Sequence, residues 1–251
     1  VAGNWTDYLV VINDEDYQAA QRLGLVPEDR LRKMPGIGID LDRYSSLRVA
    51  ENDIHAFRAA LGLGPDAKLF LVVAEFNRGK RHRDTVEALA LTNRPDFHVA
   101  FAGIGPELEP VRTLAADRGV TNRVHFLGYR SDVPTLLRAA TALILPSERE
   151  GLPRSIMEAM ALGVPVIGAD VRGIRDLVAR GAGIVVPVAD PGRLANAMTL
   201  LADDPSAACA MGQCGKLQVQ QYGLKEIIPA HESLYSKALN ESEDLRMPLS
   251  T

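Results

Sequence analysis

What most restricts the fold of this chain is an alternation, almost throughout, of short β-rich runs with longer amphipathic stretches. The strand candidates are "YLVVI" (8–12), "LRKM" (31–34), "LFLVVA" (69–74), "HVAFA" (98–102), "VHF" (124–126), "TALIL" (141–145), "PVIG" (165–168) and "IVV" (184–186), most of them continuously apolar. A half-exposed strand alternates polar and apolar residues, so runs that are apolar throughout predict strands covered on both faces. Between them, Val86, Leu89 and Ala90 share one face of 82–92, and Leu108, Val111, Leu114 and Ala115 one face of 107–118, as helices require. Strand and helix in alternation predict an α/β fold with a doubly wound parallel sheet.

The Gly- and Pro-rich "MPGIGIDLDRY" (34–44) breaks this rhythm and marks a domain boundary. Residues 1–40 hold one β-α-β unit, too small to bury a core alone. Residues 41–66 supply a linker and a helix, and a complete α/β domain spans 67–222. In the closing segment, 223–251, "LKEIIPAHESLYSKAL" (224–239) reads as a helix interrupted near Pro229, followed by a polar, frayed tail.

Apolar residues make up 47% of the chain, enough for a sizeable core without disulfide or metal staples. A net charge of −4 argues against a general nucleic-acid binder. No run approaches the roughly 18 apolar residues that span a bilayer. Cys209 and Cys214 match no common zinc or redox spacing, which suits free thiols in a reducing cytoplasm. The five histidines show no ligand spacing, and no nucleophile elbow or Ser–His–Asp set is present. Asp40 and Asp42 form an Asp-x-Asp, a tripeptide common by chance, and metal binding is not expected there.

Ligands of open parallel sheets collect at the carboxyl ends of strands, and three loops belong there. In "TALILPSEREGLPRSIMEAM", Pro153 suits the first turn of a helix, whose free N–H groups at Arg154 and Ser155 favour phosphate or hydroxyl groups. From Ile156 to Ala169 every residue is apolar, glycine or proline except Glu158. A buried carboxylate without partners is costly; either a vicinal diol such as a ribose or an ion pair with Arg154, one turn earlier, satisfies it. The loop "VVAEFNRGKRHRD" (72–84) groups Arg78, Lys80, Arg81 and Arg83 around Gly79. It is a pyrophosphate site, a solvated basic loop or a localisation-type run. In "FAGIGPELEPV", Gly103 and Gly105 begin a dinucleotide fingerprint, but Leu108 replaces its third glycine, and a tight strand-to-helix turn accounts for them as well.

Together, "AEFNRGKRHRDTVEAL", "FAGIGPELEPVRTLA", "VHFLGYRSDVPTLLRAATALILPSEREGLPRSIMEAMALGVPVIGADVRGIRDLV" and "GIVVPVADPGRLANAM" resemble the donor domain of group 1 glycosyltransferases (glycosyltransferase family 4). The likeness runs from about 68 to 205 and is strongest over 124–178. Glu150 and Glu158, with seven residues between them, match the family's signature pair. The "DVRGIRDLV" version is similar to that of bacterial enzymes building capsular, exopolysaccharide and lipopolysaccharide chains.

The resemblance implies a GT-B architecture of two facing Rossmann-like domains, the C-terminal one holding a nucleotide-sugar donor. It implies that Glu150 contacts the donor sugar, Glu158 the ribose and Lys80 the diphosphate, in place of a metal. It further implies that Tyr129 and Arg130 meet the base through their backbone, and that Gly151, Leu152, Arg154 and Ser155 line the sugar–phosphate, with Gly103 among the donor-binding positions. Transfer in the family retains anomeric configuration and needs no metal cofactor. Where the family commonly has arginine, five residues before the lysine, this chain has Glu75, so Arg78 or Arg81 is expected to supply the second cation. Pro153 also stands where the family often has glycine.

Residues 1–40 resemble only the last β-α-β unit of the acceptor domain. The expected activity is therefore that of a retaining glycosyltransferase acting on a UDP- or GDP-sugar, UDP favoured, and on a glycan or lipid-linked acceptor. In this fragment, weak donor binding and little transfer are expected. The alternatives are a non-catalytic nucleotide-sugar-binding module and a GT-B sugar-nucleotide epimerase; an NAD oxidoreductase fits worst, given the broken glycine fingerprint. A cytoplasmic location is expected, peripheral to the inner membrane face in the full-length protein. Apolar surface next to a missing domain is a candidate homodimer face.

Overall fold

A computed structural model describes residues 5–244, with side chains to 241; the end of the expected frayed tail, 245–251, lies outside the described residues. The chain divides into two compact units, one formed by residues up to 40 together with those from 221 onward, the other by 41–220.

In the first unit, β1 (Leu9–Val11) and β2 (Leu31–Lys33) pair in parallel, Leu9 opposite Leu31. The intervening α1 (Asp14–Leu23) starts where the Asn13 side chain accepts the Asp16 N–H and stops at Gly24, which is left-handed (φ 57), so both helix ends carry the capping residues their geometry favours. The last helix among the described residues, here α10 (Leu224–Asp244), belongs to this unit. It is held by Ile39, whose N–H donates to the Tyr222 carbonyl at 2.8 Å and whose carbonyl accepts from the Leu224 N–H at 3.0 Å. The expected interruption near Pro229 does not occur. Pro229 lies inside the continuous helix. It stands in the second turn, where its missing N–H removes one bond near the helix start while the later turns propagate unaffected.

The second unit carries the expected doubly wound sheet. After α2 (Glu51–Ala60) come β3 (Lys68–Val73), α3 (His82–Thr92), β4 (Phe97–Ala102), α4 (Leu108–Asp117) and β5 (Val124–Gly128). The chain continues through α5 (Val133–Ala139), β6 (Ala142–Leu145), α6 (Arg154–Ala161), β7 (Val166–Ala169), α7 (Ile174–Val178) and β8 (Gly183–Val186), and closes with α8 (Pro191–Asp203) and α9 (Pro205–Gln218). The strands lie in the order β5-β4-β3-β6-β7-β8, every neighbouring pair parallel. One face packs Phe70, Val72, Phe101 and Ile144 against Val86 and Leu89 of α3 and Leu194 and Met198 of α8. Leu69, Leu71 and Leu143, which alternate with these along the strands, are fully buried as well. Burial on both faces explains why the central strands β3, β4, β6 and β7 read as largely apolar runs, whereas the edge strands β5 and β8 are mostly half-buried.

Candidate functional site

The strand order fixes where a ligand can sit. From β3 the chain builds outward to β5, then returns to lay β6 on the other side of β3, Leu71 opposite Leu143. At such a reversal the loops after the two central strands diverge to opposite faces and leave a crevice at the strands' carboxyl ends. The two loops flanking it are 74–81, after β3, and 146–153, after β6. They are tied together by the Glu148 N–H, which donates to the Gly79 carbonyl at 2.9 Å. Beside them open a cavity of about 470 Å3 walled by Arg78, Arg81, His82 and Glu148 and another of about 640 Å3 walled by Gly79, Lys80, Glu148 and Arg149.

In the first loop, the Asn77 side chain accepts the Lys80 N–H at 3.1 Å and sets a single tight turn, Arg78–Lys80. This turn aims Lys80 at the second loop, where its ammonium donates to Glu150 Oε1 at 2.6 Å. Arg81 follows with φ 52, left-handed, at the cap of α3. It donates to both carboxylate oxygens of Asp84, at 2.6 and 3.1 Å, and lies 3.5 Å from Glu148. Arg78 reaches Glu107 at 3.2 Å with its side chain 93% exposed. Both arginines named as second cations are thus engaged by carboxylates, Arg81 closely and Arg78 at the surface. His82 lies under this loop, buried and stacked on Phe76 with ring centroids 4.1 Å apart. Neither ring nitrogen has a hydrogen bond of ordinary geometry. Burial pushes the His82 pKa down to about 4, the Ala74 carbonyl partly opposing it and Lys80 adding to it, so the ring is neutral.

The second loop delivers α6. Pro153 is the cap residue itself (φ −71, ψ 118), one position before the helix rather than within its first turn, and no side chain caps this end. Arg154 is exposed and Ser155, Gly151 and Leu152 are half-buried. Ile156, Met157, Ala159 and Met160 are buried, and so is Glu158, 7% exposed. Glu158 Oε1 accepts from the Arg154 guanidinium at 3.1 Å and from the Tyr44 hydroxyl at 2.6 Å. The Arg154 pairing foreseen in the sequence is therefore present; the Tyr44 contact was not. Burial pushes the Glu158 pKa up, while Tyr44 and Arg154 hold it back. Burial, then Glu158 itself, drives the Tyr44 phenol far above its ordinary range.

Tyr129 and Arg130 follow β5, at the same carboxyl edge of the sheet. Tyr129 is exposed, and Arg130 donates to Asp132 at 2.7 Å. Gly103 has a packing role: a Cβ there would lie 1.9 Å from the Ala74 carbonyl oxygen, because the end of β3 passes directly against it. Close approach of the two backbones, not a turn, is what requires glycine at 103. Gly173 escaped notice in the sequence. It is left-handed (φ 71), and a Cβ on it would meet the Gly151 carbonyl oxygen at 2.0 Å, so the turn before α7 supports the Glu150–Gly151 loop from behind. Nothing in a lone glycine of "DVRGIRD" identifies the backbone it abuts, and nothing in "DRY" announces Tyr44's partner. Among the described residues, no group of three or more His, Cys, Asp or Glu side chains is placed to hold a metal ion, and no helix is long and apolar enough to cross a membrane.

Comparison with known proteins bears on the family and the fold. The EpsD protein of Bacillus subtilis (strain 168), named as a glycosyltransferase, is 30% identical over 92% of this chain and 61% of its own length. N-acetyl-alpha-D-glucosaminyl L-malate synthase of Bacillus anthracis is 28% identical over 77% of this chain and 52% of its own. The chain thus spans between about half and two thirds of the length of these relatives. Among solved structures, HepE of Anabaena in complex with UDP superposes with a TM-score of 0.84 at 22% identity, over 94% of this chain and 65% of that one. WaaG, a glycosyltransferase involved in lipopolysaccharide biosynthesis, gives 0.78 at 22% identity, over 90% and 62%. These structural likenesses establish the shared GT-B type of fold. The sequence model described as "Glycosyl transferases group 1" matches residues 53–218, more than half of the chain, and the chain therefore belongs to the group 1 glycosyltransferases.

Proposed function

We propose that residues 41–220 hold the nucleoside-diphosphate part of a nucleotide-sugar donor, with UDP as the nucleotide, for transfer that retains anomeric configuration. The observation that carries this reading is the convergence of Lys80 and Glu150 from the two loops at the sheet's reversal point, 2.6 Å apart, beside a helix end with no side-chain cap. A diphosphate placed there meets the Lys80 ammonium and the α6 amide groups, which together offset its charge without a metal. Glu150 is then released to bind sugar hydroxyls, and Glu158 takes the ribose. Tyr129 and Arg130 border the base. HepE, the Anabaena protein of this fold, is solved with UDP and with UDP-glucose, which supports the choice of uridine.

In the reaction, the bond from the anomeric carbon to the diphosphate oxygen breaks and its electron pair leaves with the nucleoside diphosphate. The acceptor hydroxyl oxygen bonds to the same face of that carbon, and its proton passes to the departing phosphate. The acceptor, a glycan or lipid-linked sugar of a cell-surface polysaccharide, is held by the rest of a GT-B protein, so this chain alone binds donor but transfers little sugar. Calorimetric titration of the 251-residue chain with UDP and GDP tests the donor reading, and an absence of binding by both overturns it. Efficient sugar transfer by this chain alone would overturn the second claim.

A further inference from the structure

We propose that Tyr44 is a positioning residue for the ribose: its hydroxyl occupies one oxygen of the Glu158 carboxylate and leaves the other turned to the ligand. The proposal rests on the donor reading above and adds to it a residue outside the two loops. Tyr44 is 3% exposed and 114 positions from Glu158 in sequence, yet its hydroxyl donates to Oε1 at 2.6 Å. The Arg154 guanidinium donates to that same oxygen at 3.1 Å. Among the described residues, no group donates to Oε2.

Oε2 is not among the fully buried side-chain atoms that lack a partner, so it stays reachable, and a ribose with two vicinal hydroxyls can donate to it. With two donors on Oε1, the carboxylate cannot rotate without breaking a charge-assisted bond, so its second oxygen keeps one direction. Arg43 fixes the tyrosine in turn. Its guanidinium lies 5.7 Å from the Tyr44 ring centroid and donates to the Ser131 carbonyl at 3.5 Å, next to the loop of Tyr129 and Arg130. Tyr44, Arg154 and Arg43 are the groups that act electrostatically on Glu158. The phenol remains a protonated donor throughout the ordinary pH range, since burial and Glu158 both raise its pKa. Phenylalanine at 44 fills the same space but gives Oε1 one donor fewer.

The test compares the wild-type chain with Tyr44→Phe by calorimetry, using UDP and 2′,3′-dideoxy-UDP, and GDP with its dideoxy counterpart. Tyr44→Phe is expected to weaken the ribonucleotide roughly tenfold while leaving the dideoxy affinity within about twofold, so that the preference for ribose collapses. Equal losses for both ligands, or an unchanged preference, overturn the proposal. If neither ribonucleotide binds the wild-type chain, it is the donor reading that falls. A second measurement needs no ligand: carbon-detected NMR titration of the carboxyl groups, with the Glu158 signal assigned by its loss in Glu158→Gln. Tyr44→Phe must move the Glu158 midpoint upward, and an unmoved midpoint overturns the hold of Tyr44 on that carboxylate.

Discussion

The Lys80 ammonium and the Glu150 carboxylate, 70 positions apart, meet at 2.6 Å across the reversal point of the sheet. Their side chains are 28% and 10% exposed, so this is a partly desolvated ion pair. In the absence of donor, the glutamate neutralises the lysine that the proposed diphosphate would claim.

Lys80→Ala should therefore separate phosphate from nucleoside recognition. Loss of one charge-assisted contact to the diphosphate is expected to weaken UDP by roughly 10- to 100-fold. Uridine, which carries no phosphate, should bind the variant and the wild type alike. Calorimetry with both ligands decides the matter; an equal loss for uridine would mean that the substitution disrupts the site rather than removing a phosphate contact.

Glu158→Gln is expected to trade stability against binding. Burial raises the Glu158 pKa in the folded state, so between the unfolded and folded values the native protein binds the extra proton. Stability contributed by this group is thus present at low pH and falls as pH rises through the folded pKa. The amide removes that penalty and still accepts from Tyr44. At neutral pH the variant should melt at or above the wild-type temperature, while nucleotide affinity drops by about tenfold or more. A variant that melts well below wild type would show that the carboxylate is a net stabiliser.

These two carboxylates also show how far the sequence could be read. The central strands β3, β4, β6 and β7 were legible because they are largely apolar and buried on both faces, and the two loops because they follow the central strands and concentrate charge around glycine. Glu158 was conspicuous as the lone charge in its run. What escaped was everything set by distant contact. No local pattern places the Tyr44 hydroxyl on Glu158 or Gly173 behind Gly151, and none shows that Arg78 and Arg81 already serve carboxylates. Pro229 misled for a different reason: a proline near a helix start costs one bond, and a long helix extending beyond it outweighs that.

Arg81 and Arg78 should differ sharply. Arg81 is bonded to both oxygens of Asp84, whose side chain is 7% exposed. Arg81→Ala leaves that carboxylate buried and unpaired, at an expected cost of about 3 kcal/mol in urea unfolding. The double variant Arg81→Ala, Asp84→Ala should recover a substantial part of it. Arg78→Ala, at an exposed site, should change stability by less than about 0.5 kcal/mol. Similar losses for the two single variants would contradict this division.

Gly173 offers a test of support from behind the site. An alanine there must both adopt a left-handed backbone and push its Cβ into the Gly151 carbonyl oxygen, 2.0 Å away. The expected cost is about 2–4 kcal/mol. Because the displaced backbone carries Glu150 and Gly151, UDP-glucose should lose more affinity than UDP. A variant with unchanged affinity for both would show that the loop does not depend on this turn.

Acid sensitivity should trace to His82. Its folded pKa of about 4 lies below the ordinary value of 6.5, so between those values the unfolded chain binds a proton that the native protein refuses. Stability contributed by the neutral ring is complete above pH 6.5 and is lost as pH falls toward 4, by about 3 kcal/mol in all. His98 and His125, whose ring nitrogens lie 3.2 Å apart, are shifted in the same direction by burial and add to the same slope. His82→Leu should therefore flatten, without abolishing, the dependence of unfolding free energy on pH between 4 and 6.5, whatever its effect on stability at neutral pH. The measurement is urea unfolding at several pH values for both proteins. Parallel curves would show that His82 is charged in the folded state, and would overturn the reading of it as a neutral ring stacked on Phe76.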